Sequence, residues 1–387
     1  MYRYSNRLPW TFAQNSLARA VAERSGSFLD LTVSNPTTVF DYPHAAIREA
    51  LHGIGDFAYQ PDPFGLEPAR AAVAEFYREQ GFALDSSRIA LTASTSEAYG
   101  LLFKLLCDCG DEVLIPSPSY PLFEYVAALE GVRTVPYRLE YDGSWFIDFD
   151  HLERQISPRS RAIVIVNPNN PTGSFLKNWE WQRLIDLALR HNLSIIADEV
   201  FMSFELKSSG GWVKTLVGDD AVLSFSLNGL SKSAGMPQMK LAWIGINGPV
   251  VERELARERL ELILDTYLPV NTPVQLALRP LLVIGAQLRA AIGARTRENL
   301  ARSRQILEDS PVHVLDTEGG WSAILQLPQT RTEEEWLLRL LNERDVLLQP
   351  GFFFDMPSEA YAVASLLMNL PNSKKAYGGL KSSLNTE

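Results

Sequence analysis

LNGLSKSAGMPQMKLAW, residues 227–243, places a lysine just after an apolar run. The run at 221–225, AVLSF, is typical of a buried strand, and Lys232 follows it in a turn of small residues. Partial burial and the nearby Lys240 disfavour the charged amine, which lowers its pKa and frees its lone pair to attack an aldehyde. The alternative is a solvated loop lysine, which is the commoner situation for a lysine taken alone.

The composition limits the class of protein. The chain has 387 residues, long enough for one large and one smaller domain, because single cores stop growing near about 250 to 300 residues. The formal net charge of -10, without basic clusters, argues against nucleic-acid binding. No apolar run approaches the roughly 20 residues of a membrane span. We expect neither a nucleic-acid partner nor a membrane partner.

The cysteines and the N-terminal residues indicate the cellular compartment and whether a metal site is expected. Cys107 and Cys109 are the only cysteines, so a disulfide framework is excluded, and they lack partner ligands at zinc-like spacing. We expect no metal site. The first ten residues contain no apolar core of signal-peptide length. A cytoplasmic location is the expectation.

Polar or small residues follow several predicted strands between 88 and 246. The alternation of strands and helices there predicts βαβ units and a mostly parallel sheet, the α/β class. Ligands bind such sheets at the carboxyl ends of the strands. We therefore expect one site formed by the residues that follow strands: Ser94, Tyr120, Asn170, Asp198 and Lys232.

An anion site is predicted at 94–96. The strand at 88–93 runs into Ser94, Thr95 and Ser96, and a helix with one apolar face follows. Free N–H groups, the helix dipole and hydroxyl donors favour an anion at such a helix start. An ordinary N-cap is the alternative, since serine or threonine caps equally well.

An acid follows the apolar run at 195–197. A carboxylate at the end of so apolar a strand is costly unless it is paired. Asp198 is therefore expected to be paired with another group. The alternative is an aspartate that caps a loop.

In this order, the motifs resemble those of fold-type I pyridoxal-phosphate enzymes, and specifically the class I/II aminotransferase family, from about 31 to 367. Asn-Asn-Pro-Thr-Gly at 169–173 is the most recognisable motif. The resemblance implies a Schiff base between pyridoxal 5'-phosphate and Lys232, with Asp198 facing the ring nitrogen. It also implies that Tyr120 stacks on the ring and that Asn170 binds its phenolic oxygen.

The resemblance implies further contacts. The cofactor phosphate is expected to meet Ser94, Thr95, Ser96, Ser231, Lys240 and, across a homodimer interface, Tyr59. Phe201 is expected beside the phenolic oxygen, at a position where most members have tyrosine. The substrate is expected to contact Asn35, Asn170 and Trp321.

The function implied is that of an aminotransferase for an amino acid or related amine and a keto acceptor. Lys232, Asp198 and Tyr120 are its expected catalytic residues. One departure from the family leaves alternatives open. Val363 occupies the position of the arginine that usually binds the substrate carboxylate, and no arginine follows Asp345. Either Arg7 substitutes, or the substrate is held in another way.

Two other hypotheses follow. One keeps the cofactor but changes the reaction to elimination, γ-replacement, decarboxylation or carbon–carbon bond formation. The other is a catalytically silent binding module that uses the fold as a scaffold.

The domain organisation is predicted in three parts. Residues 1–45 form an N-terminal arm and part of the small domain, 46–285 a large cofactor-binding domain with a doubly wound sheet, and 286–387 a small α+β domain. The tail from 371, rich in Asn, Ser, Lys and Gly, is expected to fray.

Overall fold

The computed structural model describes residues 2–10, 14–55, 58–208 and 210–384. Within these residues the strands are β1 (Leu29–Asp30), β2 (Ile89–Thr92), β3 (Glu112–Ser117), β4 (Arg133–Tyr141), β5 (Trp145–Ile147), β6 (Ser160–Val166), β7 (Leu176–Lys177), β8 (Ser194–Asp198), β9 (Trp212–Val213), β10 (Ser224–Gly229), β11 (Ala242–Asn247), β12 (His313–Val314), β13 (Ser322–Gln326), β14 (Val346–Leu347), β15 (Gln349–Pro350) and β16 (Tyr361–Ser365).

The helices are α1 (Ser16–Glu23), α2 (His44–His52), α3 (Glu67–Glu79), α4 (Thr95–Leu106), α5 (Leu122–Leu129), α6 (Phe149–Gln155), α7 (Asn178–His191), α8 (Leu230–Ser233), α9 (Val250–Tyr267), α10 (Thr272–Leu276), α11 (Leu278–Leu307), α12 (Glu333–Arg344) and α13 (Leu370–Leu384).

An eight-stranded sheet forms the centre of the molecule, in the order β2-β11-β10-β8-β6-β3-β4-β5. Strands β10, β8, β6, β3 and β4 run parallel to their neighbours in this series. Strand β11 is antiparallel to both β10 and β2, and β5 is antiparallel to β4. The prediction of a mostly parallel sheet is therefore confirmed.

Successive residues of the central strands pack into different cores, because side chains alternate across a sheet. In β6, Ile163 packs with the α6 and α7 side, whereas Val164 packs with α4, α5 and α9. Ile195 and Ile196 of β8 divide in the same way. Helices thus cover both faces, which explains why these strands are apolar almost throughout. The sheet is doubly wound, as predicted.

A second, antiparallel sheet is built from the C-terminal strands in the order β12-β13-β16-β15. In its register Ser322 lies opposite Ser365, and Val363 lies between Ile324 and Gln349. The N-terminal segment joins this part of the fold, since β1 pairs with β14 and Leu31 packs in the same core as Trp336. The division of the chain at 45 and 285 stays a prediction, and α11 runs without a break across 285.

The C-terminal tail is helical, and the prediction that it frays was wrong. Helix α13 begins at Leu370 and packs on α11 and α12. Ala376, Tyr377 and Leu380 recur on one face of the helix and are buried in the core that contains Trp336. Few apolar residues suffice to hold a helix when all of them face the core. Among the described residues, no helix combines the length and the apolar character needed to cross a membrane.

Candidate active site

A cavity of about 360 Å³ lies at the carboxyl ends of the central strands, against the C-terminal sheet. The strands that end there are β2, β3, β6, β8 and β10. The cavity brings together all of the predicted site residues except Tyr59 and Asn35. Those that line it are Ser94, Thr95, Ser96, Tyr120, Asn170, Asp198, Phe201, Ser231, Lys232, Lys240 and Trp321.

Lys232 lies in the short helix α8, directly after β10. Gly229 makes this turn possible, because a Cβ atom there would lie 2.8 Å from Cβ of Ala242 on the neighbouring strand. The Lys232 Nζ atom lies 4.8 Å from the ring centroid of Trp321 and 5.5 Å from that of Phe201. Burial lowers the pKa of the Lys232 amine to about 8, although Asp198 opposes the shift. Within the described residues the amine forms no ion pair.

Asp198 is the last residue of β8 and pairs in register with Leu227 of β10. Its Oδ1 accepts a hydrogen bond from the Val200 N–H over 3.2 Å, and its Oδ2 accepts one from the Tyr99 hydroxyl over 3.2 Å. Burial raises the pKa of the Asp198 carboxyl to about 6, against the opposing effects of these hydrogen bonds and of Lys232. Asp198 and Lys232 are both half-buried and line the cavity, and they do not form an ion pair with each other.

A buried network connects the segments that carry these two residues. The Asn228 amide donates to the Glu199 carbonyl over 3.0 Å. The Asn228 Oδ1 atom accepts from the Gly229 N–H over 2.7 Å and from the Ser233 hydroxyl over 2.6 Å. The side chain between the two strands therefore holds the lysine turn in a defined position relative to the end of β8.

Glu199 lies behind Asp198, away from the cavity, and is completely buried. Its carboxyl accepts from the Leu216 N–H over 2.7 Å, from Ser226 over 3.3 Å and from the Thr215 hydroxyl. Burial raises the pKa of the Glu199 carboxyl to about 8. These contacts identify Glu199 as a structural residue that anchors the loop after β8.

The start of α4 forms one end of the cavity. Ser94 is the N-cap, and its hydroxyl oxygen accepts from the Glu97 N–H over 3.1 Å. Thr95 and Ser96 begin the helix beside it, and Lys240 lines the same cavity. A helix start, hydroxyl groups and an ammonium group are together suited to a phosphate.

The turn after β6 holds Asn170 at the cavity. The preceding Asn169 side chain closes the turn, since its Oδ1 accepts from the Thr172 N–H over 3.2 Å and from the Thr172 hydroxyl over 2.9 Å. Asn169 therefore serves the turn, and Asn170 is the amide that faces the cavity.

Tyr59 and Asn35 lie outside the cavity. Tyr59 is 63% exposed. The Asn35 Oδ1 atom caps a short turn, accepting from the Thr37 N–H over 3.1 Å and from its hydroxyl over 2.8 Å. Ser34, one residue earlier, lines the cavity instead. Arg7 is also elsewhere, because its Nη1 donates to the Leu129 carbonyl over 3.0 Å.

Several lining residues were not predicted. Tyr99 extends from α4, and Thr32, Ser322, Gln349, Phe354 and Ser365 come from the N-terminal segment and the C-terminal part of the fold. Val363 is 2% exposed and packs in a core with Ile324 and Phe354. Only Tyr99 left a signal in the sequence, as a polar hydroxyl on the apolar face of a helix.

Together, the fold and the cavity define a fold-type I pyridoxal-phosphate enzyme. The residues fit that cofactor: a half-buried amine and a half-buried acid line one cavity without pairing, and a helix start suited to phosphate lines it as well. The model of the family "Aminotransferase class I and II" matches residues 27–361. The chain belongs to this family and is a pyridoxal-phosphate-dependent transferase.

Known proteins agree with this assignment. The chain is 28% identical to the glutamate-pyruvate aminotransferase AlaA of Escherichia coli strain K12, over 88% of this chain and 86% of the relative. It is 28% identical to an alanine aminotransferase of Mycobacterium tuberculosis strain H37Rv, over 85% of this chain and 79% of the relative. These names support transamination over the non-transaminating reactions.

Solved structures show the same fold. An aminotransferase from Escherichia coli superposes with a TM-score of 0.84 at 25% identity, covering 100% of this chain and 98% of the other. An alanine aminotransferase from Pyrococcus furiosus gives a TM-score of 0.84 at 23% identity, covering 96% and 95%.

Proposed function

We propose that the cavity binds pyridoxal 5'-phosphate through Lys232 and transfers an amino group between an amino compound and a keto acceptor. The observation that carries this proposal is the relation between Lys232 and Asp198. An amine whose pKa burial lowers to about 8 and an acid face the same cavity, and the amine forms no ion pair within the described residues.

Each wall of the cavity has a part in holding the cofactor. Ser94, Thr95, Ser96, Ser231 and Lys240 would bind its phosphate. Asp198 would face the ring nitrogen, Tyr120 would stack on the ring, and Asn170 would donate to its phenolic oxygen. Phe201 and Trp321 would border the same ring and the Lys232 amine.

Bound pyridoxal phosphate supplies an aldehyde that reacts with amines and a ring that accepts electrons from the carbon bearing the amine. Lys232 has two tasks. Its low pKa leaves part of the amine uncharged near neutral pH, as a nucleophile requires. Lys232 would also take the proton that leaves the amine-bearing carbon of the substrate and deliver it to the carbon that carried the aldehyde. Asp198 would keep the ring nitrogen of a bound cofactor protonated, which would make this proton removable.

The test is reconstitution of the purified protein with pyridoxal phosphate. After borohydride treatment, mass spectrometry should find the cofactor on the peptide that contains Lys232. Alanine and glutamate are the first amino donors to test, because the relatives are named for them. Lys232→Ala should lose both the covalent adduct and keto product formation, while Lys207→Ala, a change at a lysine outside the cavity, should keep both. An adduct on another lysine would refute the proposal.

We also propose a homodimer in which Tyr59 reaches the partner's cavity. Tyr59 is exposed and does not line the cavity of its own subunit, which supports this, as do the exposed side chains of Tyr267 and Leu268. Sedimentation should show a dimer. Mixing inactive Lys232→Ala subunits with Tyr59→Phe subunits should create one intact site per mixed dimer, so that the cofactor affinity lost in Tyr59→Phe is partly regained. A monomer, or no regain in proven mixed dimers, would refute it.

The cytoplasm is the proposed compartment. Cys107 and Cys109 are both free, which suits a reducing environment. Cell fractionation with an antibody to the protein checks this directly, and recovery with secreted proteins would contradict it.

A further inference from the structure

The wall of the cavity that the C-terminal sheet supplies is uncharged. Of the described residues that line the cavity, the charged ones are Asp198, Lys232 and Lys240. The C-terminal sheet contributes Ser322 and Gln349 instead, together with Ser365. The surroundings of a bound substrate therefore differ in charge from one end of the cavity to the other.

The three charged groups are already committed in the proposed function. Lys232 carries the cofactor, Asp198 faces its ring nitrogen, and Lys240 meets its phosphate. No positive group among the described lining residues remains to neutralise a second anion. A carboxylate that enters such a cavity loses water without gaining an ionic partner, which is unfavourable.

The neutral wall is equipped for hydrogen bonding. Within the part of the chain that the structure describes, the side chains of Ser322 and Gln349 make no hydrogen bond, and neither does that of Ser34. Ser365, in contrast, donates its hydroxyl to the Val33 carbonyl and accepts from the Leu367 N–H over 3.2 Å. Ser34, Ser322 and Gln349 are thus among the side chains left to donate to, and accept from, a neutral polar group.

A valine stands where the resemblance implies an arginine. Val363 pairs with Gln349 on one side and with Ile324 on the other, and its side chain is part of the apolar core. Gln349, the register partner of Val363, lines the cavity beside the position where the resemblance implies an arginine. Arg295 is held elsewhere, with Nη1 3.3 Å from the Leu367 carbonyl and its guanidinium 4.6 Å from the Phe40 ring centroid.

We propose that this site selects an amino substrate whose group next to the amine-bearing carbon is uncharged, such as an amide, an ester or a hydroxymethyl group, rather than a free carboxylate. Ser34, Ser322 and Gln349 are the specificity-determining residues. The inference rests on the proposed function, since it assigns the three charged groups to the cofactor.

The first test measures binding without turnover. Calorimetry on the cofactor-loaded protein compares 3-phenylpropanoate with 3-phenylpropanamide, which have the same shape and differ in charge. We expect the amide to bind more tightly, by about tenfold. Tighter binding of the carboxylate would overturn the inference.

Variants then test the wall itself. Gln349→Arg places a cation on a residue that already lines the cavity. It should shift the ratio of the affinities for 3-phenylpropanoate and 3-phenylpropanamide at least tenfold toward the carboxylate. Gln349→Met is the matched control of similar length and should leave the carboxylate no better bound. Arg295→Met should not change the ratio. An unchanged ratio in correctly folded Gln349→Arg, or a changed ratio in Arg295→Met, would overturn the assignment.

The failure of this inference is distinguishable from failure of the proposed function. If L-phenylalanine is converted faster than L-phenylalaninamide by protein that carries the cofactor on Lys232, the substrate class is wrong and the aminotransferase function stands. If no cofactor becomes attached to Lys232, both are refuted. Conversion of the amide at a higher kcat/KM than the free acid supports both.

Discussion

The Tyr99 hydroxyl donates a hydrogen bond to Oδ2 of Asp198 over 3.2 Å, which joins helix α4 to the acid at the end of β8. Hydrogen bonds to an ionised carboxylate favour that form and lower its pKa. Tyr99 thus counteracts the burial that raises the pKa of Asp198 to about 6. It acts as a positioning residue that keeps the acid ionised.

Tyr99→Phe should raise the pKa of Asp198 further. Only the ionised acid can pair with the ring nitrogen of a bound cofactor. As the pH falls, the variant should therefore lose cofactor affinity at a pH about one unit higher than wild type does. The dissociation constant of pyridoxal phosphate, measured from pH 5 to 8, checks this. Tyr137→Phe is a matched control, since the Tyr137 hydroxyl donates to the Val164 carbonyl over 2.9 Å. Equal pH profiles for the two variants would contradict the role of Tyr99.

Lys232→Met should stabilise the cofactor-free protein at pH 7. The amine pKa is about 8 in the folded protein and 10.5 ordinarily, so the unfolded chain binds more protons between these values. Stability therefore rises as pH increases from 8 to 10.5, and below pH 8 the buried charge costs at most about 3 kcal/mol. Denaturant unfolding should show that Lys232→Met has a higher free energy of unfolding than wild type at pH 7, and that the difference is smaller at pH 10.5. A variant less stable than wild type at pH 7 would disprove the burial penalty.

Phe201→Tyr adds a hydroxyl to a ring whose centroid lies 5.5 Å from the Lys232 amine. If Phe201 borders the phenolic oxygen of the cofactor, the new donor stabilises the ionised oxygen. The protonated nitrogen that joins Lys232 to the cofactor then loses its proton at a lower pH. The visible spectrum of the loaded protein should then change at a pH lower by about one unit. Phe201→Leu, which adds no donor, should not lower it. An unchanged or raised transition for the tyrosine variant would refute the assignment.

Gly229→Ala should displace the lysine turn. The new Cβ would meet Cβ of Ala242 at 2.8 Å and its Cα at 2.9 Å, so backbone must move. We expect a loss of about 1 to 3 kcal/mol in unfolding free energy and weaker cofactor binding. Gly378→Ala is the control, because nothing lies within 4 Å of its added methyl and alanine favours the helix. A Gly229→Ala protein with wild-type stability and affinity would show that the close approach is unimportant.

Tyr377→Ala should reveal that the C-terminal helix is part of the fold. The Tyr377 side chain is completely buried against α11 and α12. Its truncation leaves a cavity and should cost about 3 to 5 kcal/mol in the free energy of unfolding. Tyr125→Ala, at a side chain that is 48% exposed, should cost much less. Similar losses of unfolding free energy at both positions would support the frayed tail that the composition predicts.

The sequence by itself determined the doubly wound sheet and the class of site. A buried strand followed by a polar turn is a short-range pattern, and parallel strands bring such turns to one edge. Lys232, Asp198, Asn170 and Ser94 could therefore be assigned to one cavity without coordinates. Composition misled us where burial depended on distant partners, as in the tail that contains Tyr377.

Only the tertiary structure decided what surrounds these residues. Tyr99 reaches Asp198 from an element 99 positions away in the chain, and Ser322 and Gln349 face the cavity because β13, β15 and β16 pair in one particular register. The sequence pointed to Asn35 as a lining residue. Its side chain instead closes a turn, and the preceding residue, Ser34, lines the cavity. Side-chain direction and long-range pairing arise from packing between remote segments, and no local pattern of residues specifies them.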